Sequence, residues 1–170
     1  MKVSKKSFLG VLVLATAASA FVFSLQAGAS RGHHGQHGQL FRSGLVGNVL
    51  TDPPIHGVNR AGAPWVLDRG TAKLSRNGKF DLRVKGLVLT ATGTTGPVRM
   101  VVASFFCAPD SNTVPAFNAG PVPLSSEGDA RIKETVTVPA RCLAPVVLLR
   151  IQGAAPAPPG SYIAASGFTD

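Results

Sequence analysis

Ala72-Lys73-Leu74-Ser75-Arg76-Asn77-Gly78-Lys79-Phe80-Asp81-Leu82-Arg83-Val84 is the stretch that decides the fold class. Apolar and polar residues alternate on both sides of Asn77-Gly78, which is the period of a half-buried β-strand. A two-residue Asn-Gly turn would set Leu74 against Asp81, an apolar side chain opposite a charged one. A three-residue loop, Arg76-Asn77-Gly78, instead pairs Leu74 with Phe80, Ala72 with Leu82 and Lys73 with Asp81. Register follows the buried face, and Gly suits the left-handed third position of such a loop. The sequence therefore predicts a hairpin in the second register.

Ser125-Ser126-Glu127-Gly128-Asp129 repeats the pattern. A loop ending at Gly128 pairs Leu124 with Ala130 and Val122 with Ile132. Pro121 and Pro123 lack the N–H that a ladder needs, so this strand belongs at a sheet edge. Val98–Cys107 and Val146–Ile151 are apolar at successive positions, as strands covered on both faces are. Leu45–Leu50, Val66–Ser75, Ala130–Val138 and Tyr162–Phe168 bring the set to about eight strands, and no segment shows helical period with a cap. The fold class is all-β, a two-sheet antiparallel sandwich, with a closed barrel as the alternative. The sandwich would be immunoglobulin-like without that fold's Cys-Trp-Cys signature, because Trp65 precedes Cys107.

Residues 1–29 read as a signal peptide. Lys2, Lys5 and Lys6 precede an uncharged apolar run, Phe8 to Leu25, and Ala27 and Ala29 stand in A-x-A spacing. Cleavage after Ala29 would leave a secreted protein with no membrane span, whereas an uncut leader would anchor the chain facing outward. Residues 30–39, His-, Gly- and Gln-rich, read as flexible, since nothing from Ser30 to Gln39 can pack. Residues 40–170 form a single domain.

Export also fits the cysteines. Cys107 and Cys142 form the single even pair, most simply one disulfide in an oxidising compartment. The chain carries 17 Lys and Arg against 8 Asp and Glu. Arg42, Arg60, Arg69, Lys73, Arg83, Arg99, Arg131 and Arg150 are spread along it without a run or stripe. With one Trp and one Tyr for stacking, nucleic-acid binding is disfavoured. An anionic cell-envelope polymer or a protein of the envelope remains as partner.

The metal-like feature is His33, His34 and His37, whose imidazoles suit Cu, Ni or Zn. No cofactor is implied. Glu134 shares the inward phase of Ile132 and Val136, and the hairpin register sets it opposite Gly120, at a rim. Asp110-Ser111-Asn112 opens like a calcium loop, but Val114 and Pro121 fall where side-chain ligands are required. No nucleophile-elbow, zinc-protease or phosphate-loop motif occurs. A copper/zinc superoxide dismutase is excluded, because His56 is the lone imidazole inside the domain.

Pro64-Trp65-Val66-Leu67, Val84-Lys85-Gly86-Leu87-Val88-Leu89, Pro121-Val122-Pro123-Leu124 with Gly128-Asp129-Ala130, and Ile163-Ala164-Ala165-Ser166-Gly167-Phe168 resemble segments of small exported bacterial β-domain proteins to which no activity is assigned. That resemblance implies a secreted β domain and supplies no catalytic residue. Composition and motifs together point to a non-enzymatic extracellular module. The alternatives are a metal-handling protein using the His cluster and an enzyme whose site is not apparent.

Overall fold

The computed structural model describes residues 38–154 and 156–168. The leader, most of the segment 30–39 and the three tail histidines lie outside the described residues. Ten strands follow in order: β1 Gln39–Gly47, β2 Trp65–Val66, β3 Arg69–Ser75, β4 Lys79–Lys85, β5 Val88–Leu89, β6 Met100–Phe106, β7 Phe117–Pro123, β8 Ala130–Thr135, β9 Val146–Ile151 and β10 Tyr162–Ser166. Eight of them make one antiparallel sheet in the order β7-β6-β9-β10-β1-β3-β4-β8, and β2 with β5 makes a small second one.

The fold is all-β, and of the two arrangements the sequence allows, the barrel describes it. β1 joins the halves. Its first part, Gln39 to Gly44, pairs with β3, and its last part, Leu45 to Gly47, pairs with β10. The sheet coils until its two end strands, β7 and β8, lie against each other.

The first hairpin has the register that the alternation demands. Leu74 pairs with Phe80, Ala72 with Leu82 and Lys73 with Asp81, and Gly78 takes φ +79° at the third loop position. The second turn forms at Ser125–Asp129, where the Ser125 N–H donates to the Asp129 carbonyl (3.0 Å). Its strands, however, do not pair with each other. Val122 pairs with Val101 of β6, while Ala130 and Ile132 pair with Val84 and Leu82 of β4. A strand inside a sheet needs donors on both sides, and Pro121 and Pro123 remove two of them. β7 is accordingly an edge, and the barrel stays unlaced along the β7–β8 seam.

The interior is lined by alternate residues of both halves, including Ala72, Leu74, Leu82, Val84, Val101, Ala103, Ile132 and Leu149. A line of rings crosses it. Phe41 meets Phe105 edge-on (5.3 Å), Phe105 stacks on Phe117 (4.9 Å), and Phe117 meets Phe80 edge-on (5.3 Å). Each such pair adds roughly 0.5–1.5 kcal/mol beyond area burial.

The two-faced apolar runs are β6 and β9, adjacent near one end of the sheet. Their second face is covered by residues 48–62. Val58 and Ile55 pack there on Phe106, Leu148 and Tyr162, and the Tyr162 hydroxyl donates to the Pro53 carbonyl (2.8 Å). Arg150 ties down the proline-rich connection ahead of β10, donating from Nε to the Gly160 carbonyl (2.7 Å) and from its other end to the Pro159 carbonyl.

Cys107 and Cys142 form a disulfide. It joins the end of β6 to the segment leading into β9, closing 35 residues of sequence separation. Chain entropy values such a closure at roughly 3–4 kcal/mol as an upper figure. Urea unfolding should show a loss within that bound for Cys142→Ser or for reduced protein. Denatured, unreduced protein should titrate no thiol.

Candidate functional site

Strand alternation that buries Ala72, Leu74, Phe80, Leu82, Val84, Ala130 and Ile132 turns every intervening residue outward. On β3, β4 and β8 those intervening residues are mostly basic. Cross-strand register then lines them up. One row runs Arg42, Lys73, Asp81, Lys133; the next runs Gly44, Thr71, Arg83, Arg131; a third pairs Arg69 with Lys85. Lys79, opposite Thr135, ends the patch.

Residues without a linear run therefore do form a stripe. Four of the chain's 17 basic residues (Lys2, Lys5, Lys6 and Arg31) precede the described part, and eight of the other 13 stand on this one face. All eight are exposed. The expectation that the basic residues are merely scattered is corrected by the fold. Lys79, Lys85 and Lys133 belong to the set as much as the arginines do. Their signal was parity: every basic residue of β3, β4 and β8 carries an odd number, hence one face.

Within these rows the face carries one carboxylate among the described residues. The Arg131 guanidinium donates to Asp81 Oδ2 at 2.9 Å. That hydrogen bond, together with the charges of Arg131, Lys133 and Arg83, outweighs the opposing effect of burial and holds the Asp81 carboxyl below its ordinary value of 3.8. Arg83 stands directly opposite Arg131, and Arg69 opposite Lys85. Like charges facing each other across a ladder are destabilising, and nothing in the core requires them.

The long side chains wall shallow depressions that run into one another along β4. The central one, about 380 Å³, is lined by Arg69, Thr71, Lys73, Asp81, Arg83, Lys85 and Arg131. Toward the start of β4 a second shares Lys73 and Asp81 with it and reaches Lys79, Lys133 and Glu134. Toward the end of β4 a third shares Arg83, Lys85 and Arg131 and reaches Pro123 and Asp129. The result is a trough along a strand of seven residues, roughly 20 Å long at about 3.3 Å per residue.

No family model, characterised protein or solved structure matches the chain. The resemblance to exported bacterial β domains thus rests on its strand and turn segments alone.

The other residues singled out by sequence have structural work. Glu134 lies at the seam, where its Oε1 accepts from the Gly120 N–H at 2.8 Å, so the two residues that the register set opposite do meet. His56 is 3 % exposed and stacks on Phe106 (4.6 Å). Its Nδ1 meets the Asn112 carbonyl at 2.8 Å, and its N–H donates to Asp110 Oδ1. Asp110 and Asn112 therefore hold the 48–62 layer. Glu134 and His56 sit in separate hydrogen-bonded sets. Among the described residues no group of three or more His, Cys, Asp or Glu could hold a metal ion, and no helix is long and apolar enough to cross a membrane.

The charge arrangement makes two opposite stability effects measurable. Arg83→Gln relieves repulsion from Arg131 and should raise stability by roughly 0.2–1 kcal/mol. Asp81→Asn should lower it at neutral pH by at most about 1 kcal/mol, because Arg131 and Asp81 are 43 % and 37 % exposed and solvent screens the pair. A carboxyl depressed in the folded state stabilises above its unfolded value and loses that effect as pH falls through its folded value. The difference between wild type and Asp81→Asn in urea titrations should accordingly vanish on acidification below 3.8.

Proposed function

We propose that this chain is exported, loses residues 1–29, and serves outside the cell as a non-enzymatic binding domain. Its β3–β4–β8 face holds an anionic polymer of the cell envelope. The observation that carries this reading is the pairing of Arg83 with Arg131 and of Arg69 with Lys85. Repulsion that the fold does not need is a feature of sites where function is favoured over stability.

Several further features support it. The face is wide, flat in chemistry and continuous, so its field adds over neighbouring side chains and draws anions in. Four of its cations are arginines, whose planar donors suit phosphate and carboxylate oxygens. Aromatic and aliphatic side chains are lacking from its outward rows among the described residues, which leaves bases and neutral sugar rings no stacking platform. The leader, the disulfide and the binding face fit one extracellular role.

Two measurements test the reading. N-terminal sequencing of the exported protein should begin at Ser30; a start at Met1 would overturn export with cleavage. In co-sedimentation with cell-wall polymer fractions, Arg83→Glu should weaken retention by roughly tenfold, as reversal of a charge inside a focused field does. Arg141→Glu changes net charge equally but lies off the face, and it should retain binding. Equal loss in both variants, or retention untouched by salt raised well past about 0.15 M, would overturn the reading.

A further inference from the structure

The basic face has a centre. In its middle row Thr71 of β3, Arg83 of β4 and Arg131 of β8 stand side by side. Cations flank that row on both sides. Lys73 and Lys133, level with Asp81, lie on one side, and Arg69 and Lys85 lie on the other. The central depression opens over the middle row and takes in Arg69, Lys73 and Lys85.

Register brings the two arginines as close as facing residues come. The Val136 N–H donates to the Gly78 carbonyl (2.9 Å). Hydrogen-bonded pairs alternate with open ones from that point along the β4–β8 ladder, and Arg83 with Arg131 falls at an open one. There opposing side chains approach most closely, with Cα atoms about 4.5 Å apart. Asp81 faces Lys133 at another open pair, yet its carboxylate turns diagonally to the Arg131 guanidinium (2.9 Å). Arg131 gives it a single N–H, from Nη2, and keeps its other donors. Arg83 is in no salt bridge among the described residues. Off the face, by contrast, Arg60, Arg99 and Arg150 turn their guanidinium groups onto backbone carbonyls.

We propose that the middle row is a subsite for an oxyanion with three terminal oxygens, a phosphate monoester or a sulfate ester carried as a side group on the polymer. Arg83 and Arg131 donate to two of the oxygens from β4 and β8. The Thr71 hydroxyl donates to the third from β3, and the flanking cations supply field alone. This deepens the binding reading and rests on it.

Oxygen count selects that chemistry. A carboxylate or a phosphodiester has two terminal oxygens, which a single guanidinium fork satisfies. Here the donors come from three adjacent strands, each about 4.8 Å from the next. Thr71, half-buried and lining the depression, is the uncharged donor among them. A group with three strong acceptor oxygens uses all three at once. Charge selects it as well. An anion seated between two opposed guanidinium groups relieves the repulsion of both, whereas one seated on either alone leaves the pair opposed. Asp81 shows which cation an oxyanion takes on this face: with Lys133 directly opposite, it engages Arg131.

Dextrans of one length and one degree of substitution, carrying phosphate, sulfate, methyl phosphodiester or carboxymethyl groups, test this by titration calorimetry on the disulfide-bonded chain. The last three groups carry equal charge, so differences among them report the arrangement of oxygens. Both three-oxygen esters should bind on the order of tenfold more tightly than the two-oxygen groups, the worth of one added charge-assisted hydrogen bond. The tighter of the two esters identifies which one the site takes. Arg83→Lys keeps the charge and removes the fork, so it should bring the ratio of sulfate to carboxymethyl affinity down to about one. Arg69→Lys, the same exchange in a flanking row, should leave that ratio unchanged. Thr71→Val should weaken both esters several-fold and spare the carboxymethyl dextran.

Sulfate dextran bound no more tightly than the methyl phosphodiester or carboxymethyl dextran, or equal effects of Arg83→Lys and Arg69→Lys, would overturn the subsite. If the dextrans still bound in a manner lost in Arg83→Glu, the broader reading would survive that result. If none bound in that manner, both would fall.

Discussion

Register between β3 and β4 is the constraint on which the rest depends. Leu74 against Phe80 and Ala72 against Leu82 put one side of the hairpin into the barrel. With a side-chain period of two, that choice leaves no freedom for the other side. Lys73, Lys79, Arg83 and Lys85 face water because their neighbours are buried, and β8 continues the pattern through the pairs Leu82–Ile132 and Val84–Ala130. A slip of β4 by one residue would turn Lys79, Asp81, Arg83 and Lys85 inward and expose Phe80, Leu82 and Val84. The apolar interior thus fixes which residues face outward, without requiring them to be charged, and the candidate site is the reverse side of the packing.

The molecule spends its two sheet surfaces differently. Around β6, β9 and β10 the outer surface is roofed by residues 48–62, with Ile55, His56, Val58 and Tyr162 in contact with Phe106 or Leu148. Hydrogen bonds from His56 to Asp110 and Asn112 hold this roof to the β6–β7 connection. Around β3, β4 and β8 the outer surface is bare and basic. β1 carries the change from one regime to the other, pairing with β3 over its first part and with β10 over its last. A buried imidazole in the roof is therefore a packing element, whereas the exposed cations of β3, β4 and β8 stand on the bare side.

What could be read from sequence follows contact distance along the chain. The Arg76-Asn77-Gly78 turn was legible because alternation and a left-handed glycine agree within thirteen residues. The runs of β6 and β9, apolar on both faces, were legible as covered strands, yet not what covers them, since residues 48–62 show no period of their own. The partner of β7 was not legible: a turn at Ser125–Asp129 suits pairing with β8, and long-range competition from β6 decides otherwise. Glu134 opposite Gly120 survives as a single hydrogen bond. The basic face was hidden by reading charges in a line, and it emerges once odd-numbered residues of three paired strands are set side by side. Export, the leader and the tail histidines concern residues that the described fold does not include.

The unlaced seam has a consequence for behaviour in a crowd. A sheet that ends in open edges offers unpaired backbone groups to any neighbouring chain, and close packing then invites strand addition. Here both ends, β7 and β8, are turned on each other, and one of them carries Pro121 and Pro123. Neither presents a long bare ladder outward. Crowded molecules therefore find little open ladder through which one chain could add a strand to another.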